Sequence, residues 1–168
     1  MRLGRTDARC TRTSDRLQIL RLRVGLDLER FKMALNSNLK KSIIIKDIEE
    51  VDESFHSRFN CKQKTYRYVI NNSKEGSAIL RGLEYHFAQK LDIKKMQEAA
   101  LFFEGTHDFK GFKSSGTSSA KSSVRTIFKA VVLEKGDRIV IELTGNGFLY
   151  NMVRIISGTL VEVRTSEI

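Results

Sequence analysis

The chain has 168 residues, room for one ordinary domain or two small ones. With 40% apolar and 30% charged residues, a packed core is expected and wholesale disorder is not. No long apolar run is present, which argues against a transmembrane helix, and the Arg-rich start lacks the apolar stretch of a secretory signal. Two cysteines, Cys10 and Cys61, make neither a disulfide scaffold nor a zinc site on their own. The net charge of +10 favours a polyanionic partner, with nucleic acid ahead of membrane because no basic amphipathic anchor stands out.

The basic charge is uneven. Residues 1–25 hold seven Arg, no Lys and two acids, so they carry half of the excess, whereas the remainder holds eight Arg and 15 Lys. From residue 27 the chain reads as an α/β mixture. Asp27 is placed to cap a helix with Leu28, Phe31 and Leu35 on its apolar face. Ser42–Val51 is rich in Ile and reads as a buried strand. Lys62–Asn72 alternates and reads as another, ending in the turn-prone Asn71-Asn72-Ser73. Gly82–Phe87 suits a short strand. Asp92 then caps a helix carrying Ile93, Met96, Ala100 and Phe103 on one face, with Gly105 as its stop. Lys113–Ser123, with six serines and little to bury, reads as a mobile loop. Thr126–Glu134 and Arg138–Thr144 form a hairpin through Lys135-Gly136-Asp137. Gly145-Asn146-Gly147 breaks the chain, and a last helix presents Phe148, Met152, Ile155, Ile156 and Thr159 on one side.

Most candidate chemistry is bland. His56, His86 and His107 lack metal-ligand spacing and read first as structural residues. No Gly-x-Ser-x-Gly elbow, Walker loop or Rossmann fingerprint is present. Four segments are more informative. Gly4-Arg5-Thr6-Asp7 sets an acid among arginines, although a surface turn would look the same. In Phe55-His56-Ser57-Arg58-Phe59 two aromatics flank an Arg. Lys64-Thr65-Tyr66-Arg67-Tyr68 puts two tyrosines on one strand face, on a strand shared with two cations. That suits stacking on bases and contact with phosphates, and equally suits ordinary half-buried strand residues. In the last helix, Arg154 sits among Met152, Val153, Ile155 and Ile156. An Arg beside an apolar face calls for an anion, either a buried or half-buried carboxylate, with Asp7 a candidate, or a phosphate.

In order, Gly4-Arg5-Thr6-Asp7-Ala8, Asn36-Ser37-Asn38-Leu39, Phe-His-Ser-Arg-Phe at 55–59, Tyr66-Arg67-Tyr68, His107-Asp108-Phe109 with Phe112, and Phe148–Leu160 resemble the TruA-type tRNA pseudouridine synthases. The resemblance runs from about residue 26 to the C-terminus, plus residues 4–8. It implies an α+β fold of two sheet-and-helix lobes with a cleft between them. Residues 1–60 would be the remnant of the first lobe and 61–168 most of the second, the chain being truncated at both ends. It implies isomerisation of uridine to pseudouridine in the tRNA anticodon stem-loop (tRNA positions 38–40), without cofactor or metal, by a cytoplasmic homodimer. The catalytic acid falls on Asp7, as nucleophile or as base. Tyr66 falls on the tyrosine that packs against the target base and takes part in proton transfer at C5. Arg154 falls on the basic residue that pairs with the catalytic carboxylate and holds it ionised. Arg5, Arg58, Lys64, Arg67 and Tyr68 would contact the RNA or the flipped nucleotide.

Two departures bear on activity, the truncation at both ends and the residues after Asp7. The family continues Gly-Arg-Thr-Asp-Ala with Gly-Val-His-Ala, whereas this chain has Arg9-Cys10-Thr11-Arg12. One set of codons for those four residues, AGG TGT ACA CGC, yields Gly-Val-His and the start of Ala when read one base later. We therefore expect residues 9 to about 25 to be a frameshifted segment, which also accounts for arginines without lysines. Lys40 stands where the family usually has Pro. The alternatives are an inactive remnant that only binds RNA and, outside the family, a basic interaction domain with no RNA role. Nucleotide sequencing across residues 9–25 is expected to recover the family's codons one base out of frame; unrelated codons would dismiss the frameshift.

Overall fold

The computed structural model describes residues 27–52, 54–56, 60–114 and 122–163. These fall into two compact units, divided between Cys61 and Lys62.

In the first unit, helix α1 (Leu28–Asn38) begins where the sequence places it. The Asp27 carboxylate accepts from the backbone N–H of Glu29 at 3.0 Å and of Arg30 at 3.3 Å, satisfying donors that the first turn leaves open. Leu28, Phe31 and Leu35 are half-buried, as their spacing predicts. The strand expected at Ser42–Val51 does not form, and the stretch is irregular. Ile43 and Ile44 are 55% and 73% exposed, while Ile45 and Ile48 are half-buried. A strand needs a neighbour to pair its backbone. Here that partner is a side chain: Asn36 Nδ2 donates to the Ile45 carbonyl at 2.9 Å, and its Oδ1 accepts from the Ile45 N–H at 2.7 Å. One amide thus satisfies both backbone groups of one residue, as a neighbouring strand would.

The second unit is a sheet covered by helices on one face. Its elements are β1 (Lys64–Asn71), β2 (Tyr85–His86), α2 (Ile93–Leu101), β3 (Gly105–Asp108), a 3-10 turn (Lys110–Phe112), β4 (Val124–Lys135), β5 (Arg138–Gly145) and α3 (Met152–Glu162). The strand order is β2-β1-β5-β4-β3, with β2 parallel to β1 and the other pairs antiparallel. The architecture is α+β. The β4–β5 hairpin closes through two residues, with Gly136 at φ +58°, the positive φ that a tight hairpin turn needs at its first central position. β3 lacks the alternation that would reveal a strand, because all four of its residues are exposed; it is an edge paired to β4. Residues 115–121 of the serine-rich stretch lie outside the described residues.

Ile139, Ile141 and Leu143 of β5, Ile70 of β1, and Ile127, Ala130 and Val132 of β4 meet Met96 and Ala100 of α2 and Met152, Ile156 and Leu160 of α3 in one core. Each fully buried aliphatic side chain contributes roughly 1.5–3 kcal/mol. The last helix starts later than its apolar pattern suggests. Residues 146–151 are not helical, so Phe148 belongs to the approach to α3 rather than to the helix. Ile155 is half-buried and Thr159 exposed, while Val153 and Val161 join the buried face.

The end of β1 is tied down by polar side chains. Asn72 Nδ2 donates to the carbonyls of Phe87 at 2.6 Å and Gln89 at 2.7 Å. Asn71 Nδ2 donates to Glu84 Oε1 at 2.6 Å, and Arg138 Nε donates to Glu84 Oε2 at 2.8 Å. The Arg138 guanidinium holds the Glu84 carboxyl below its ordinary value. Desolvation pushes the other way, and the Asn71 amide and the charges of Arg138 and His86 add to the lowering. A folded-state value below the unfolded one stabilises the fold above the usual glutamate range, and that stabilisation is lost as pH falls through it. Glu84→Gln is therefore expected to lower Tm at neutral pH and to shrink the further drop in Tm on acidification below about pH 4.3. An unchanged acid limb in thermal melts would show that this carboxylate does not set it.

Candidate active site

Side chains alternate along β1, so the strand register decides what shares a face. Tyr66 lies opposite Leu143, Tyr68 opposite Ile141 and Ile70 opposite Ile139. The partners on β5 are buried under the helices, so both tyrosines point to the helix-covered side, where each is half-buried. Lys64 shares this parity and ends the ladder opposite Gly145. Tyr66 meets Phe148 edge-on, with ring centroids 5.1 Å apart and planes at 76°. Such a pair contributes about 0.5–1.5 kcal/mol beyond area burial. Aromatics continue from Tyr68 to Tyr85 at 6.5 Å and from Tyr85 to Phe87 at 6.1 Å.

Arg67 has the opposite parity. Its Nε donates to Glu142 Oε2 at 2.6 Å from the directly facing position on β5, on the side of the sheet away from the helices. The Thr65 and Thr144 hydroxyls pair at 2.8 Å on that same side. The structure therefore brings Lys64, Tyr66 and Tyr68 to one face and sets Arg67 on the other.

Arg154 is the third residue of α3, which packs on β1. Its apolar sequence neighbours predict an Arg that meets an anion. The buried residues of α3 are Met152, Val153, Ile156, Ser157, Leu160 and Val161, and Arg154 is exposed. Asp7, Arg5 and Arg58 lie outside the described residues. His86 Nε2 sits 2.8 Å from the Ser73 carbonyl and His107 Nε2 sits 2.7 Å from the Glu104 carbonyl, both structural roles. Among the described residues, no group of three or more His, Cys, Asp or Glu could hold a metal ion, and no helix is long and apolar enough to cross a membrane.

Sequence reasoning assigned no role to Phe148, which it placed within a helix. Its position depends on the break before it. A Cβ on Gly145 would lie 2.7 Å from the Thr126 carbonyl oxygen and 3.5 Å from Phe148 Cζ, so only glycine fits there without a shift. The next residue is pinned to β4: Asn146 N–H donates to the Thr126 carbonyl at 3.0 Å, and Asn146 Oδ1 accepts from the Thr126 N–H at 3.1 Å. The Gly-Asn-Gly break signalled a turn, but a turn signal does not say which ring it delivers.

Residues 99–168 match the family model described as tRNA pseudouridine synthase. The tRNA pseudouridine synthase A of Acetivibrio thermocellus is 55% identical over 145 residues, covering 86% of this chain and 59% of the relative. The tRNA pseudouridine synthase A 2 of Clostridium tetani is 51% identical over 139 residues, covering 83% of the chain and 56% of the relative. The tRNA pseudouridine synthase A of Clostridium acetobutylicum is 47% identical over 140 residues, covering 83% and 57%. The chain thus spans somewhat over half the length of these relatives. With identities of this level over most of its residues, the chain belongs to the tRNA pseudouridine synthase family.

Proposed function

We propose that this chain isomerises uridine to pseudouridine in tRNA, in the anticodon stem-loop, as a cytoplasmic homodimer without cofactor or metal. The observation that carries the reading is the half-buried Tyr66, set against Phe148 on the helix-covered face, in a chain 55% identical to a tRNA pseudouridine synthase A. In the reaction the C1′–N1 bond breaks, the uracil turns, and a C1′–C5 bond forms. C5 then loses its proton and N1 gains one, so substrate and product are isomers. Asp7 attacks or deprotonates at the sugar. Arg154 keeps that carboxylate ionised. Tyr66 packs against the turning base and handles the C5 proton. Lys64 and Tyr68 contact RNA from the same face as Tyr66, Arg67 from the other, and Arg5 and Arg58 from the first 60 residues, which belong to the first lobe. The net charge of +10 supplies the sequence-independent attraction to the phosphates.

A second reading, an inactive remnant that only binds RNA, is favoured by Arg9-Cys10-Thr11-Arg12 standing where the family has Gly-Val-His-Ala. Release of tritium from C5-labelled uracil in tRNA separates the two. Isomerisation is expected to release it, and Asp7→Ala to abolish release while tRNA binding persists and weakens steeply with salt. Binding without release would favour the remnant. Release that survives Asp7→Ala would remove Asp7 from the mechanism.

A further inference from the structure

We infer that Phe148 is a positioning residue for Tyr66, acting on the reaction through the orientation of the phenol rather than by touching substrate. The inference rests on the proposed isomerase reading. Tyr66 is half-buried on a strand, and its ring retains rotational freedom about two side-chain torsions unless a neighbour restricts it. The neighbour is Phe148, edge-on at 5.1 Å and 76°. This contact is delivered by a rigid device. Gly145 closes the β5 ladder where no Cβ fits, and Asn146 makes two hydrogen bonds to Thr126 of β4. Beyond the ring, Leu149 is buried and Met152 N–H donates to the Leu149 carbonyl at 3.1 Å, so the chain is held on both sides of Phe148. With its backbone held at both flanks, the Phe148 ring lies edge-on against Tyr66 and restricts the plane the phenol takes. Proton transfer at C5 requires the hydroxyl within hydrogen-bond reach of the base, so a tilted phenol slows turnover without weakening the grip on tRNA.

The full chain tests this with Phe148→Leu, which keeps apolar bulk but loses the ring, and Phe148→Tyr, which keeps the ring. In tritium release at saturating tRNA, Phe148→Leu is expected to lower kcat by about tenfold or more. Its tRNA Kd should stay within about threefold of the parent, and Phe148→Tyr should restore most of the rate. By NMR, the Tyr66 ring protons, assigned with Tyr66→Phe, should shift in Phe148→Leu and return towards their parent positions in Phe148→Tyr. An unchanged kcat in Phe148→Leu, an equal loss of turnover and tRNA binding, or no rescue by Phe148→Tyr overturns the inference alone. Unmoved Tyr66 resonances overturn it whether or not the chain turns over. An unsubstituted chain that releases no tritium overturns the isomerase reading, and the catalytic role of Phe148 falls with it.

Discussion

The antiparallel register of β1 on β5 is the constraint on which the rest of the second unit depends. It pairs Tyr66 with Leu143 and Arg67 with Glu142. A slip of one residue would turn both tyrosines away from the helices and drive Arg67 into the core. The register is held at both ends. At one, Arg138 of β5 and Asn71 of β1 share the carboxylate of Glu84. At the other, Thr65 and Thr144 join their hydroxyls, and Gly145 lets β5 close against the Thr126 carbonyl. Between them, Ile139, Ile141 and Leu143 bury one face of β5 and make the alternative register costly.

This division of faces also sorts the cations. Strand sequence puts Lys64 and Arg67 within three residues of each other, yet they emerge on opposite sides of the sheet. Arg67 and Arg138 are each matched to a carboxylate on a neighbouring strand or loop. Such pairs tie elements of the fold together, so a raw count of basic residues overstates the charge available to a polyanionic partner. Of the net +10, half comes from residues 1–25.

What was legible in the sequence followed local rules. The caps at Asp27 and Asp92, the alternation of Lys64–Asn71 and the Gly136 hairpin each declare themselves within a few residues. What was not legible depended on neighbours. Ser42–Val51 has strand composition but no ladder partner among the described residues, and Asn36 pairs Ile45 instead. β3 forms because β4 offers an edge, not because Gly105–Asp108 alternates. The tyrosines of the site were visible as a pattern on one strand face. The ring against Tyr66 was not, because an apolar residue after a Gly-Asn-Gly break reads the same whether it enters a helix or packs beneath a strand. Arg154 shows the converse: an Arg flanked by apolar residues in sequence is exposed once the helix turns it outward.

The central claim is that the chemistry belongs to the helix-covered face of this sheet and not to its other side. The most direct measurement compares Tyr66→Phe with Arg67→Ala by tritium release at saturating tRNA. Loss of the phenol hydroxyl is expected to slow release by roughly 100-fold or more, while Arg67→Ala, on the other side, keeps a rate close to that of the unsubstituted chain once tRNA saturates. A Tyr66→Phe variant that turns over normally, or an Arg67→Ala variant that is equally slow, would contradict the account.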